Sequence, residues 1–417
     1  SYALAFSTAW NNTAVGEASQ MENTTGSFNV SIGGSALRNN RTGNSLTAIG
    51  FNALLNDTAS DNTAVGESAL LENISGSGNV AVGNATLYNN QSGSELTAVG
   101  FFALHHDTAG QNTSVGAWTL YENRSGQANV ALGNSALRFN QKGNALTAIG
   151  FLSLHHDTAS ENTAVGAWTL HENRSGTGNV AIGNSALRSN QKGSELTAVG
   201  FLALHHDTVG ENTAVGSMAM FENRSGSKNV SIGRGALQNN YEGNDNTAVG
   251  FLALQDNVAS ENTAVGSWAL HSNLTGTSNV AIGHGSLADN QEGSGNTAVG
   301  FIALGTNHAF DNTAVGSWAL HYNNDGINNT AMGSNSMVHN SSGNFNTAVG
   351  SGSLHFNDGS GRNTAIGHDA LHNNNKATES FASGGENNTA VGCESLKQNI
   401  SGNANVAIGA GALLNSK

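Results

Sequence analysis

The chain has 417 residues, with 15 Lys and Arg against 29 Asp and Glu, a formal net charge of −14, 54 glycines and no proline. An acidic balance without basic clusters argues against nucleic acid or an anionic membrane as partner, and no apolar run approaches the ~18 residues of a spanning helix, so no membrane insertion is expected. Collagen would need Gly at every third residue and abundant Pro, and an internal disulfide framework is closed to a chain whose one cysteine is Cys393.

The first element is the pentapeptide Asn12-Thr13-Ala14-Val15-Gly16, and variants of it return along the whole chain. Marked by their last residue they fall at Gly16, Gly33, Gly50, Gly66 and so on to Gly409, 24 copies in all. The steps run 17, 17, 16 and repeat, a super-repeat of 50 residues. Each repeat reads as strand, turn, short apolar pair, turn. In the strand Val130-Ala131-Leu132, period-two alternation puts Val and Leu on one face and Ala on the other. Four residues after the marker Gly stands Leu, as in Leu104, Leu154 and Leu204, in 21 of 24 repeats, which points it inward. Between Gly367 and Gly392 the step is 25, one coil with an insertion loop at about 376–385.

Such self-similarity predicts an all-β chain, a parallel β-solenoid (β-roll or β-helix) of about 24 stacked coils of 16–17 residues. One such unit cannot enclose a core. Stacked, the Val/Ile and Leu of each coil would meet those above and below, each buried Leu contributing roughly 1.5–3 kcal/mol. The absence of Pro fits a chain that needs nearly every N–H in a ladder. Residues 1–417 then form a single continuous rod, on the order of 115 Å long at ~4.8 Å per coil.

The motif NTAVGxxALxxNxxGxx resembles the head repeats of trimeric autotransporter adhesins and, more closely, repeats of bacteriophage tail-fibre-like and bacterial surface proteins. The resemblance covers essentially the whole chain. It implies a left-handed β-roll, an extracellular, cell-surface or virion location, and assembly as a trimer. The unit here is 17 rather than about 14 residues, with no heptad stalk.

Seven residues after the marker comes Asn or Asp in 23 of 24 repeats: Asn23, Asn73, Asp107, Asn123, Asn173, Asn223 and Asn273 among them. Stacked amides at a coil corner explain the column. The competing reading is N-glycosylation, since Asn23, Asn73, Asn123, Asn173, Asn223 and Asn273 sit in N-x-[ST] sequons. Asn140 and Asp157 hold the same place without a sequon, which favours the ladder. The pairs His105-His106, His155-His156 and His205-His206 are three coils apart and cannot share a metal. His155 and His171 share a coil position that elsewhere holds Tyr121 or Arg138, so a stack of planar side chains is expected and no metal or cofactor.

Phe101, Phe151, Phe201, Phe251 and Phe301 follow the marker directly, and Trp118, Trp168, Trp268 and Trp318 stand two residues after the next one. Either the shorter coil closes over bulkier side chains, or an apolar stripe marks an interaction surface. No HExxH, GxSxG, P-loop or CxxC occurs, so no catalytic residue is assigned and the chain is read as no enzyme. The leading expectation is an extracellular structural fibre or adhesin module. The alternative is a carbohydrate- or surface-binding solenoid, such as a tail-fibre-like receptor binder with host glycans as partners. Ice binding ranks below both, because the Thr63, Thr97 and Thr113 column is broken by Val80 and Val130. Ser1-Tyr2-Ala3-Leu4 already matches the interior of a repeat, and Lys417 stops inside one. Self-assembly end to end, with the Phe/Trp stripe left for lateral contacts, is therefore expected.

Overall fold

In the computed structural model, residues 8–375 and 384–416 are described. The chain packs as two compact units, Ser1–Glu211 and Asn212–Lys417. Both are parallel β-solenoids. Among the described residues the first unit holds twelve three-residue strands, from Thr13–Val15 to Thr197–Val199. The second holds twelve, from Thr213–Val215 to Val406–Ile408, and two short extra strands at Thr306–Asn307 and Tyr322–Asn323. No helix is long and apolar enough to cross a membrane.

Within each unit, strands of successive coils pair in register. Thr163, Ala164 and Val165 face Val180, Ala181 and Ile182. Register survives the long coil: Thr364–Ile366 pairs with Thr389–Val391, residue for residue. The expected loop at 376–385 lies outside the described residues except for Gly384 and Gly385.

The strands are short because the marker glycine ends each one. At Gly50 φ is +140°, and a Cβ there would sit 2.3 Å from the carbonyl oxygen of Gly66 in the next coil. Only glycine tolerates both the angle and the approach. The corner that follows alternates into the left-handed region, with Asn52 at φ 59° and Leu54 at φ 50°. A leucine there is costly in isolation. It persists because its amide stays in the inter-coil ladder, Leu54 N–H donating to Ala69 O at 3.0 Å, while its side chain is fully buried. Leu104, Leu154 and Leu204 are likewise at 0% exposure.

The expected core is corrected at the strands. Val and Ile do not join Leu inside. The central residue faces in: Ala48, Ala64, Ala131, Ala148 and Ala181 are completely buried, while Ile149, Ile182 and Ile282 lie on the outer face, Ile282 at 41% exposure. The physical reason is width. The interior is already occupied by Leu and by two columns of Asn, all buried, and a close-packed interior then takes only a small side chain, Ala or Ser, from the strand. The sequence carried that signal, since the central strand position is Ala or Ser in every repeat.

Candidate interaction surfaces

The Asn/Asp column forms one interior corner. Asn73 is fully buried. Its Nδ2 donates to Gly76 O and to Asp57 Oδ1, both at 2.8 Å. Asn90 Nδ2 donates in turn to Asn73 Oδ1 at 3.1 Å and to Gly93 O at 3.0 Å. Asn123, Asn173 and Asn273 make the same two donations. Asn223 is buried and donates to Gly226 O at 2.7 Å, and Asn23 to Gly26 O at 2.9 Å. The glycosylation reading of Asn73, Asn123, Asn173 and Asn223 is thereby corrected. A glycan would have to leave from an Nδ2 that is buried and already hydrogen-bonded, and a packed column has no space for it.

A second buried Asn column escaped the sequence reading, although it opens the pentapeptide itself. Asn62 Oδ1 accepts from the Asn79 amide at 2.9 Å, and Asn62 Nδ2 donates to Gly76 O at 2.7 Å. This column ties the strand entrance of one coil to the Gly corner of the next. In the first unit Leu46, Leu96, Leu146 and Leu196 replace it in every third coil, also fully buried.

Aspartate stands in the first column at Asp57, Asp107 and Asp157. The Asp157 carboxylate accepts from the Ala159 amide at 2.8 Å and from the Asn162 and Asn173 amides, both at 3.0 Å. Burial outweighs these donors and pushes the acid up, to about 6 for Asp57 and about 7 for Asp107 and Asp157.

The outer face of the strands bears two parallel columns, Thr or Val at the first position and Val, Ile, Leu or, once, Met332 at the third. Val115, Leu132, Ile149 and Ile182 in the first unit are exposed, as are Val215, Ile232, Val265 and Ile282 in the second. Val65, Val99, Val165 and Val199 in the same column are half-buried, so within each unit the third strand position forms an apolar stripe at least partly open to water.

The Phe and Trp residues meet in pairs. Phe101 and Trp118 lie 5.6 Å apart at 75°, Phe151 and Trp168 5.6 Å at 77°, Phe251 and Trp268 6.0 Å at 69°, and Phe301 and Trp318 6.1 Å at 60°. The Phe rings, including Phe201, remain exposed, and the Trp rings are half-buried or exposed. Arg138 and Arg188 place their guanidinium groups 4.9 and 4.8 Å from the Trp118 and Trp168 rings. The stacked planar column is present beside them, Tyr88 on His105 at 5.2 Å and 5°, and His155 on His171 at 5.1 Å and 3°. Burial, then the adjacent imidazole, pushes His105 and His155 down to about 4, so both are neutral. In the second unit Tyr241, Asp256, Val258 and Leu274 line an open groove of about 380 Å³.

No protein-family model and no curated protein matches this chain.

Proposed function

We propose that the chain is an extracellular structural fibre or adhesin module that self-associates through the outer strand face. One observation carries the reading: the Val/Ile ladder points out of the solenoid, whose core is closed by the buried Leu, Ala and Asn columns without it. A monomer leaves that face in water at a cost of roughly 25 cal/mol per Å² of apolar area, and a second copy covers it with an identical repeat. The motif's resemblance to adhesin heads and surface fibres supports the extracellular assignment and makes a trimer the first candidate assembly. The reading gives the chain no catalytic role.

The test is sedimentation of the full chain beside a variant carrying Ile149→Lys and Ile182→Lys. The wild type is expected as an oligomer or filament at micromolar concentration, and the variant as a monomer with unchanged circular dichroism. A monomeric wild type would sink the proposal. The second reading, carbohydrate or surface binding, is favoured by the half-exposed Phe–Trp pairs, since sugars stack on such rings. Trp168→Ala would then weaken glycan retention without changing the oligomeric state.

A further inference from the structure

We propose that His155, His156 and His171 bind one divalent transition-metal cation of the Zn²⁺ or Cu²⁺ class. The three residues come from two adjacent coils of the first unit, and one ring nitrogen of each lies within 4.8 Å of the others. A tetrahedral ion with bonds of ~2.0–2.1 Å spans nitrogens roughly 3.3 Å apart, so binding requires the stacked His155 and His171 rings to tilt until their in-plane lone pairs converge. The His155 and His171 rings lie parallel, and the His156 ring stands at 88° and 89° to them. His156 therefore approaches from the side, and it is the exposed member through which an ion would enter.

Two further observations bear on this place. First, the Nδ1 atoms of His155 and His171, like that of His105, are buried with no hydrogen-bond partner, and a buried imidazole nitrogen normally has one. Second, the 50-residue repeat is broken here twice, in the same sense. The equivalent of His171 is Tyr121 one super-repeat earlier and Phe221 one later, so of the three coils that carry a His-His pair only this one meets a third imidazole in the next coil. The equivalent of Phe139 is Asn89, whose Nδ2 lies 2.8 Å from His106 Nδ1 and occupies it. Phe139 stacks on His156 at 5.2 Å and 11° and takes no ring nitrogen.

An all-imidazole set suits Zn²⁺, Cu²⁺ or Ni²⁺ and not Ca²⁺ or Mg²⁺, which want oxygen. Arg138, Arg174 and Arg188 act on these rings with the wrong sign for a cation, and Glu172 with the right one.

The experiment is equilibrium dialysis of the chelator-treated full chain against Zn²⁺, with the metal counted, and Cu²⁺ paramagnetic resonance to detect nitrogen ligands. One equivalent is expected at micromolar metal. His171→Tyr installs the residue of the preceding super-repeat and keeps a planar ring in the stack; it should weaken binding at least ~10-fold. His156→Asn, at an exposed position, should do the same, with circular dichroism reporting the fold of both. His106→Asn should change nothing. No bound metal at micromolar concentration, wild-type affinity in His171→Tyr, or an equal loss in His106→Asn would each overturn the assignment.

Discussion

Asp157 shows how one atom type changes the chemistry of a corner. Asn257 holds the same coil position in the second unit. It receives a hydrogen bond from Asn273 at 2.8 Å and passes one on to Asn240 at 3.1 Å. An ionised aspartate can receive but has no proton to pass on, so the amide column stops there. Its pKa is raised to about 7 by burial. A group raised in the folded state contributes stability that is complete below the unfolded value near 4 and is lost as pH rises through about 7. The buried histidines oppose this. His105 and His155, pushed down to about 4, contribute stability above pH 6.5 that falls away as pH drops toward 4. The raw pH profile mixes both, so the comparison with Asp157→Asn isolates the acid. The variant is expected to stabilise the first unit by about 1–3 kcal/mol at pH 8, with the advantage vanishing near pH 4. Urea denaturation at a series of pH values checks it, and an advantage that grows toward acid would contradict the account.

At the scale of the coil, the strand has only three residues and the interior accepts one of them. Adjacent positions therefore have opposite tolerances. Ala148→Leu drives a larger side chain into a space filled by Leu154 and its stacked copies, and should cost about 1–3 kcal/mol or more. Leu154→Asp buries an unpaired charge and should cost several kcal/mol. Ile149→Asp, one residue from Ala148, faces water and should leave the chain within about 1 kcal/mol of wild type. Urea midpoints of the three variants rank them. If Ile149→Asp proved the most damaging, the strand would have to face the other way.

For the whole molecule, each unit is a sum of near-identical coils, so a surface feature built from the repeat's common positions recurs at each coil or each super-repeat. The apolar face is repeated in this way, and so is the acidity: the net charge is −14. In the proposed assembly, copies of the chain repel at low ionic strength while their strand faces attract. Raising NaCl should screen the repulsion, and sulfate should strengthen apolar contact further. Self-association is expected to increase with both salts and to weaken on cooling toward 4 °C. Light scattering across salt and temperature would show this; association abolished by 0.5 M NaCl would instead indicate a contact between opposite charges.

The spacing of the marker glycines determined the coil, its length and its stacking, because a glycine that must meet the next coil's carbonyl can be neither moved nor replaced. The Leu and Asn columns were legible for the same reason, each being a position where one side chain meets its own copy. Which strand face is interior was decided only by the tertiary structure. Alternation divides a strand into two faces without saying which is in, and hydrophobicity alone favoured the larger Val and Ile. Only the assembled coil shows that Leu154, the two Asn columns and the small Ala148 share the interior while Ile149 is left outside. The meeting of His156 with the stacked His155 and His171 was likewise beyond the sequence, since it depends on how two coils of unequal length turn the same corner.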